Sequence, residues 1–256
     1  IEGGNKVSVD ERMVHDIVQK VMANMQISGS VSGMHGEFKD MNDAINAYIE
    51  AQKTVCTMTL DQREQIISLI RKKTHENAEI LANMGVNETG MGNVGDKILK
   101  HHLTADKVPG TEDISTIAWS GDRGLTLVEM GPFGVIGAIT PATNPSETVI
   151  CNCIGMLAGG NTVVFNPHPN AKKTTIYTIN MINEASIEAG GPDNIAVTVE
   201  APTLDTSAIM MKHPSIHLLV ATGGPGVVTA VLSSGKRANG AGAGNPPVLV
   251  YETADI

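Results

Sequence analysis

From Val135 onward, short runs of Val, Ile and Leu take turns with longer runs of helical period. Val135 to Thr140 precedes Ser146 to Leu157, Thr162 to Phe165 precedes Ala171 to Ala189, and Ile195 to Val199 precedes Leu204 to Met211. Ile216 to Ala221 leads into Gly226 to Ser234, and Val248 to Tyr251 closes the series. These strands lack the polar alternation of a sheet with one wet face, so both faces are expected to be covered by the intervening helices. The predicted fold class is α/β, a doubly wound, Rossmann-like parallel sheet preceded by N-terminal helices. Leu125 to Glu129 alternates and reads as a separate strand, and no internal repeat of fixed period is visible.

Charge divides the same way. Residues 1–130 carry 32 of the 45 Asp, Glu, Lys and Arg residues, so the first half reads as exposed helices and the second as a buried sheet. Ser8 and Glu11 have capping-box spacing, and Val14, Ile17, Val18, Val21 and Met25 recur along one helical stripe. Ile27 to Gly36 is rich in Gly and Ser. The expected organisation is an amphipathic helix over 1–26, a flexible linker over 27–39, a helical region over 40–120 and the α/β region over 121–256. The N-terminal stripe needs cover, from its own domain or from a partner protein.

Within the helical region, Met41, Ala44, Ile45 and Tyr48 line one face. Thr59 with Gln62 can cap a second helix carrying Ile66, Ile67 and Ile70, and a third stretch through Ala78, Leu81 and Met84 is expected to end near Gly85. Gly90 to His102 reads as a glycine-rich turn entering another short helix. Its adjacent His101 and His102 point different ways on a helix, so no metal site is expected there.

Lys and Arg number 18 against 27 Asp and Glu, a net charge of −9 that repels a phosphate backbone. Seven scattered aromatic residues offer no stacking platform, so nucleic acid is not an expected partner. No apolar run reaches membrane-spanning length, and no membrane association is expected. Cys56, Cys151 and Cys153 cannot all pair, and no signal segment is visible, which together predict a reducing, cytoplasmic compartment.

Four segments can carry chemistry. Ile216 to Gly226 is an apolar strand running into Thr222, Gly223, Gly224 and a helix-starting proline, a geometry that suits a diphosphate or stands as an ordinary tight turn. Pro141 to Pro145 follows a strand, where open α/β sheets hold ligands, and Thr143 or Asn144 can donate to an oxyanion or cap the next helix. Asn166 to Pro169 holds His168 between prolines, positioned for a ribose or simply structural. Gly240 to Pro247 mimics a dinucleotide fingerprint, but Pro246 and Pro247 stand where its helix should begin, so its glycines read instead as sites of close backbone approach. Cys151 and Cys153 on an apolar helix read as small buried hydrophobes.

Taken in order, Trp119 to Pro145, Gly159 to Lys173, Ala221 to Gly226 and Gly235 to Ile256 resemble the aldehyde dehydrogenase superfamily. Within it they are most similar to the CoA-acylating enzymes of bacterial microcompartments. The resemblance covers about residues 40–256. It implies oxidation of a short-chain aldehyde such as propionaldehyde or acetaldehyde, hydride transfer to NAD, and passage of a cysteine thioester to CoA. The cofactor-binding residues it implies are Thr140, Pro141, Ala142, Thr143, Asn166, His168, Thr222, Gly223, Gly224, Gly226, Ala241 and Gly242. Asn144 is the implied oxyanion donor, with Thr143 the alternative by one residue of register.

Hydrolytic relatives carry a water-activating glutamate where this chain has Ala241, and a lysine near the adenine ribose where it has Asn166. The first departure suits an acyl group destined for a thiol, and the second implies that His168 and neighbouring backbone take over the ribose contact. The resemblance further implies a homo-oligomer, dimer or tetramer, built through the strand near Leu125 to Glu129. It also implies a docking peptide at residues 8–26 that directs the enzyme to shell proteins and the microcompartment lumen. The nucleophilic cysteine is expected beyond Ile256, and ETADI reads as the approach to a further helix, so the chain is expected to stop within a domain. Two other readings stay open: a hydrolytic aldehyde dehydrogenase, and a non-catalytic nucleotide-binding fragment with a docking helix.

Overall fold

The computed structural model describes residues 35–244 and 247–253. The expected N-terminal amphipathic helix and most of the linker lie outside them. The end of the linker does not: Glu37–Phe38 is a strand, β1, paired in parallel with Thr198 and Val199. Gly36 makes this possible. It has φ +81°, and a Cβ there would stand 2.4 Å from Asn183 Nδ2 and 2.5 Å from the Ala196 carbonyl oxygen.

Three helices follow. α1 (Met41–Val55) is capped by Asp40 and buries the predicted face of Met41, Ala44, Ile45 and Tyr48. α2 (Leu60–Thr89) is one helix of 30 residues where two were expected. The capping box of Thr59 and Gln62 starts it as predicted, but Gly85 lies inside it and the left-handed Gly90 ends it. An interior glycine costs a helix only about 1 kcal/mol, less than the packing of Ala78, Leu81 and Ala82 returns. α3 (Val94–Lys107) is capped by Asn93. An antiparallel hairpin of β2 (Ile117–Gly121) and β3 (Gly124–Val128) comes next, exposed throughout, and the boundary expected at 120/121 falls inside β2, one residue before its turn.

The predicted alternation then runs as β4 (Val135–Thr140), α4 (Pro145–Ala158), β5 (Thr162–Pro167), α5 (Lys172–Glu188) and β6 (Ala196–Val199). It continues through α6 (Leu204–Lys212), β7 (Leu218–Thr222), α7 (Pro225–Leu232) and β8 (Arg237–Ala241). Six strands form one parallel sheet in the order β1-β6-β5-β4-β7-β8. Its two faces carry different cores. Ala138, Val163 and Phe165 pack with residues of α2, α4 and α5, whereas Val135, Val164 and Leu219 pack with residues of α1, α6 and α7. Thus α1 is a sheet-covering helix, not an exposed one.

The final strand differs from expectation. Val248 to Tyr251 is not a strand, and its side chains are 62–92% exposed; a strand needs a ladder partner, and none of the described residues pairs with this run. The edge strand is instead β8, whose last two residues, Gly240 and Ala241, open the segment read from sequence as glycines of close backbone approach. Gly240 within it lies against α7, where a Cβ would stand 2.6 Å from Val228 Cγ1, so its close approach is to a helix.

Replacing Gly36 with Ala is expected to destabilise the protein by at least about 2 kcal/mol, because both the left-handed backbone and the packed neighbours oppose a side chain. Urea unfolding measures this, and an unchanged midpoint would show that the β1 junction is not tight.

Candidate functional site

β4 has β5 on one side and β7 on the other, and the helices after β4 and β7 leave toward opposite faces of the sheet. A crevice must open between two such departing loops, at the carboxyl ends of the strands. Here it is a cleft of about 820 Å³. The β4–α4 loop lines it with Thr140, Pro141, Ala142, Thr143 and Asn144, and the β7–α7 loop with Thr222, Gly223, Gly224 and Gly226. Asn166 and His168 after β5 and Gly242 after β8 join them. Ala241 is the exception: its carbonyl accepts from the Gly223 N–H at 3.1 Å, tying it into the sheet edge, and it is absent from the lining.

The first turn of α7 is open. Gly224 precedes Pro225 with no side-chain cap, and a Cβ on Gly223, Gly224 or Gly226 would meet no protein atom within 4 Å. Uncapped N–H groups beside such space favour an anion. Across the cleft, Thr140 is 1% exposed and its Oγ1 has no hydrogen-bond partner among the described residues. A buried hydroxyl left unpaired costs about 1–3 kcal/mol unless something else bonds it, and here the cleft is beside it. His168 Nδ1 accepts from the Asn170 N–H at 3.2 Å. A neutral imidazole in that bond carries its proton on Nε2, as a donor.

Asn166 lines the cleft and also makes a fastening within the fold. Its Nδ2 donates to Ser207 Oγ at 2.6 Å and the Thr203 carbonyl at 3.3 Å, while its Oδ1 accepts from Thr206 Oγ1 at 2.7 Å. Both ends of the amide are used in fastening the start of α6 to β5. That fastening brings Thr203, Leu204, Ser207 and Met211 into the cleft wall, residues missed by sequence reasoning although the Thr203 cap before an apolar run hinted at them.

Among the described residues, neither Asp nor Glu lines the cleft, and none of the three cysteines does either. Cys56 is exposed at the end of α1, Cys151 is half-buried and Cys153 buried, both on α4. Burial pushes the thiols of Cys151 and Cys153 up, away from reactive thiolate. The adjacent histidines diverge as expected: His102 stacks on His75, whereas His101 points inward, fully buried. Its Nδ1–H donates to the Lys97 carbonyl at 2.7 Å and its Nε2 lies 2.7 Å from Ser146 Oγ, behind the β4–α4 loop.

A doubly wound domain with a neutral, glycine-edged cleft at its switch point is of the nucleotide-binding α/β class. The chain belongs to the aldehyde dehydrogenase family, which it matches over residues 13–256. It is 46% identical to the acetaldehyde dehydrogenase (acetylating) of Bilophila wadsworthia, over 96% of this chain and 52% of that one. It resembles a solved propionaldehyde dehydrogenase from the Clostridium phytofermentans fucose utilisation bacterial microcompartment, with 73% identity and a TM-score of 0.83 over 86% of this chain and 51% of that one. The Rhodopseudomonas palustris propionaldehyde dehydrogenase solved with bound propionyl-CoA is 50% identical, with a TM-score of 0.82, over 86% of this chain and 49% of that one. The chain thus spans about half the length of these relatives.

Burial pushes the His101 imidazole down, against the pull of Glu147 in the other direction, so the folded protein holds it neutral. A histidine with a depressed folded value contributes stability that is complete above its ordinary value of 6.5 and is lost as pH falls below it. Thermal unfolding across that range is expected to show the wild type losing stability faster than His101→Gln, and parallel curves would refute this.

Proposed function

We propose that this chain is the cofactor-binding part of a CoA-acylating aldehyde dehydrogenase, which converts a short-chain aldehyde, NAD and CoA to acyl-CoA, NADH and a proton. The observation that carries the proposal is a single cleft in which the β4–α4 and β7–α7 loops face each other with no carboxylate in the lining. The glycines at the start of α7 and the free Thr140 hydroxyl suit the diphosphate of a dinucleotide, and the His168 Nε2–H suits a ribose hydroxyl. Bound NAD supplies the hydride acceptor. Asn144, at the mouth of α4, donates from its amide to the oxygen that becomes negative when a thiolate adds to the aldehyde carbon. That thiol belongs to residues outside these 256, since Cys56, Cys151 and Cys153 all lie away from the cleft.

A hydrolytic enzyme needs a base to activate water. With Ala241 at the end of β8 and a neutral lining, the acyl group is left for a stronger nucleophile, and the bound propionyl-CoA of the R. palustris relative supports CoA as that nucleophile. The exposed hairpin bears Ile117, Trp119 and Val128 on one face and Leu125 and Leu127 on the other, apolar side chains suited to a second copy in a homo-oligomer. Residues 8–26 carry an apolar stripe of helical period in sequence that suits a shell-protein partner, in keeping with the microcompartment source of the C. phytofermentans relative.

Two measurements on the complete protein check these proposals. With propionaldehyde and NAD, NADH formation is expected to require CoA, and equal turnover without any thiol acceptor would overturn the acylating reading. Deleting residues 1–26 is expected to leave NAD affinity unchanged and abolish co-sedimentation with shell proteins; retained co-sedimentation would remove the docking role.

A further inference from the structure

The β4–α4 loop is held from behind by α3, a helix that contributes nothing to the cleft lining. Lys97, whose side chain is 6% exposed, donates from Nζ to the Thr143 carbonyl at 2.6 Å, to Asn144 Oδ1 at 3.1 Å and to Glu147 Oε1 at 3.1 Å. Lys100 Nζ donates to the same Asn144 Oδ1 at 2.7 Å. An ammonium group can only donate, so the atom that both lysines meet is the amide oxygen, and the opposite end of the amide is its NH2.

Asn144 stands at the position before α4 where an asparagine usually caps the helix with its side-chain oxygen, yet it makes no such bond. Its oxygen has been taken by two cations instead. The consequences are orientation and strength: with the oxygen turned toward α3, the NH2 is left for the cleft that Asn144 lines, and two ammonium groups on the oxygen polarise that NH2 into a better donor. Glu147 balances Lys97, which keeps the burial of that lysine tolerable.

We propose that Lys97 and Lys100 are positioning residues for the oxyanion step, acting through Asn144 and touching neither aldehyde nor cofactor. The proposal rests on Asn144 being the oxyanion donor. Two variants of the complete enzyme test it, each in the wild-type and the Asn144→Ala backgrounds: Lys100→Met, at an exposed position that leaves folding intact, and the double change Lys97→Met with Glu147→Gln, which buries no unpaired charge.

In the wild-type background each is expected to lower kcat about tenfold, part of the loss of about 100-fold or more that removing an oxyanion donor brings, with the Kd for NAD unchanged and Lys100→Arg restoring most of the rate. In the Asn144→Ala background neither is expected to lower kcat further, because the group they act through is gone. An equal loss in both backgrounds, or no loss in either variant, overturns the positioning role while leaving Asn144 in place. An Asn144→Ala enzyme with wild-type kcat overturns the oxyanion reading itself and this proposal with it.

Discussion

Everything in this molecule follows from a parallel sheet that must be dry on both sides. Val163 and Phe165 face one way and Val164 the other, and all three are fully buried or nearly so. Such a sheet cannot be closed by hairpins; each strand has to be followed by a helix that returns across one face. Because β4 lies between β5 and β7, the helices that follow the neighbouring strands β4 and β7 depart on opposite sides at that point, and the crevice between their loops cannot be filled by either. The cleft is a by-product of sheet topology, and the chemistry is what the loops then put into it.

What they put there is short and neutral. Glycines after β7 put no side chain in the way of the helix start, and among the described residues Thr140 offers a buried hydroxyl without a partner and no side-chain carboxylate enters. Charge is kept one layer back, where Lys97 and Lys100 of α3 grip the β4–α4 loop and Glu147 of α4 pairs with Lys97. The helical segment before the sheet is therefore part of the site's support. α1 likewise covers the opposite sheet face and, through Gln52, bonds the Gly160 carbonyl and the Thr162 N–H at the entry to β5.

Much of the fold could be read along the chain because its signals are local. The strand boundaries of β4, the Thr59–Gln62 cap and the buried face of α1 all depend on residues within one or two turns of each other. Errors fell where the deciding partner is distant. β1 exists only because Thr198 and Val199 offer an edge, and Arg237–Ala241 is a strand because β7 lies beside it, while the more strand-like Val248 to Tyr251 has no ladder to join.

The two loops of the candidate site were equally legible, since a glycine pair or a proline-bracketed asparagine after an apolar strand is a contiguous pattern. Residue order alone thus determined the layered α/β class, the loops at the strand ends and the neutrality of their side chains, all of which rest on short-range periodicity and residue type. Which of those side chains are free to act was settled only in three dimensions. Asn166 is spent on the start of α6 and Asn144 is turned by lysines 44 and 47 residues away, because a hydrogen bond depends on where two groups stand in space and not on how far apart they lie in the chain.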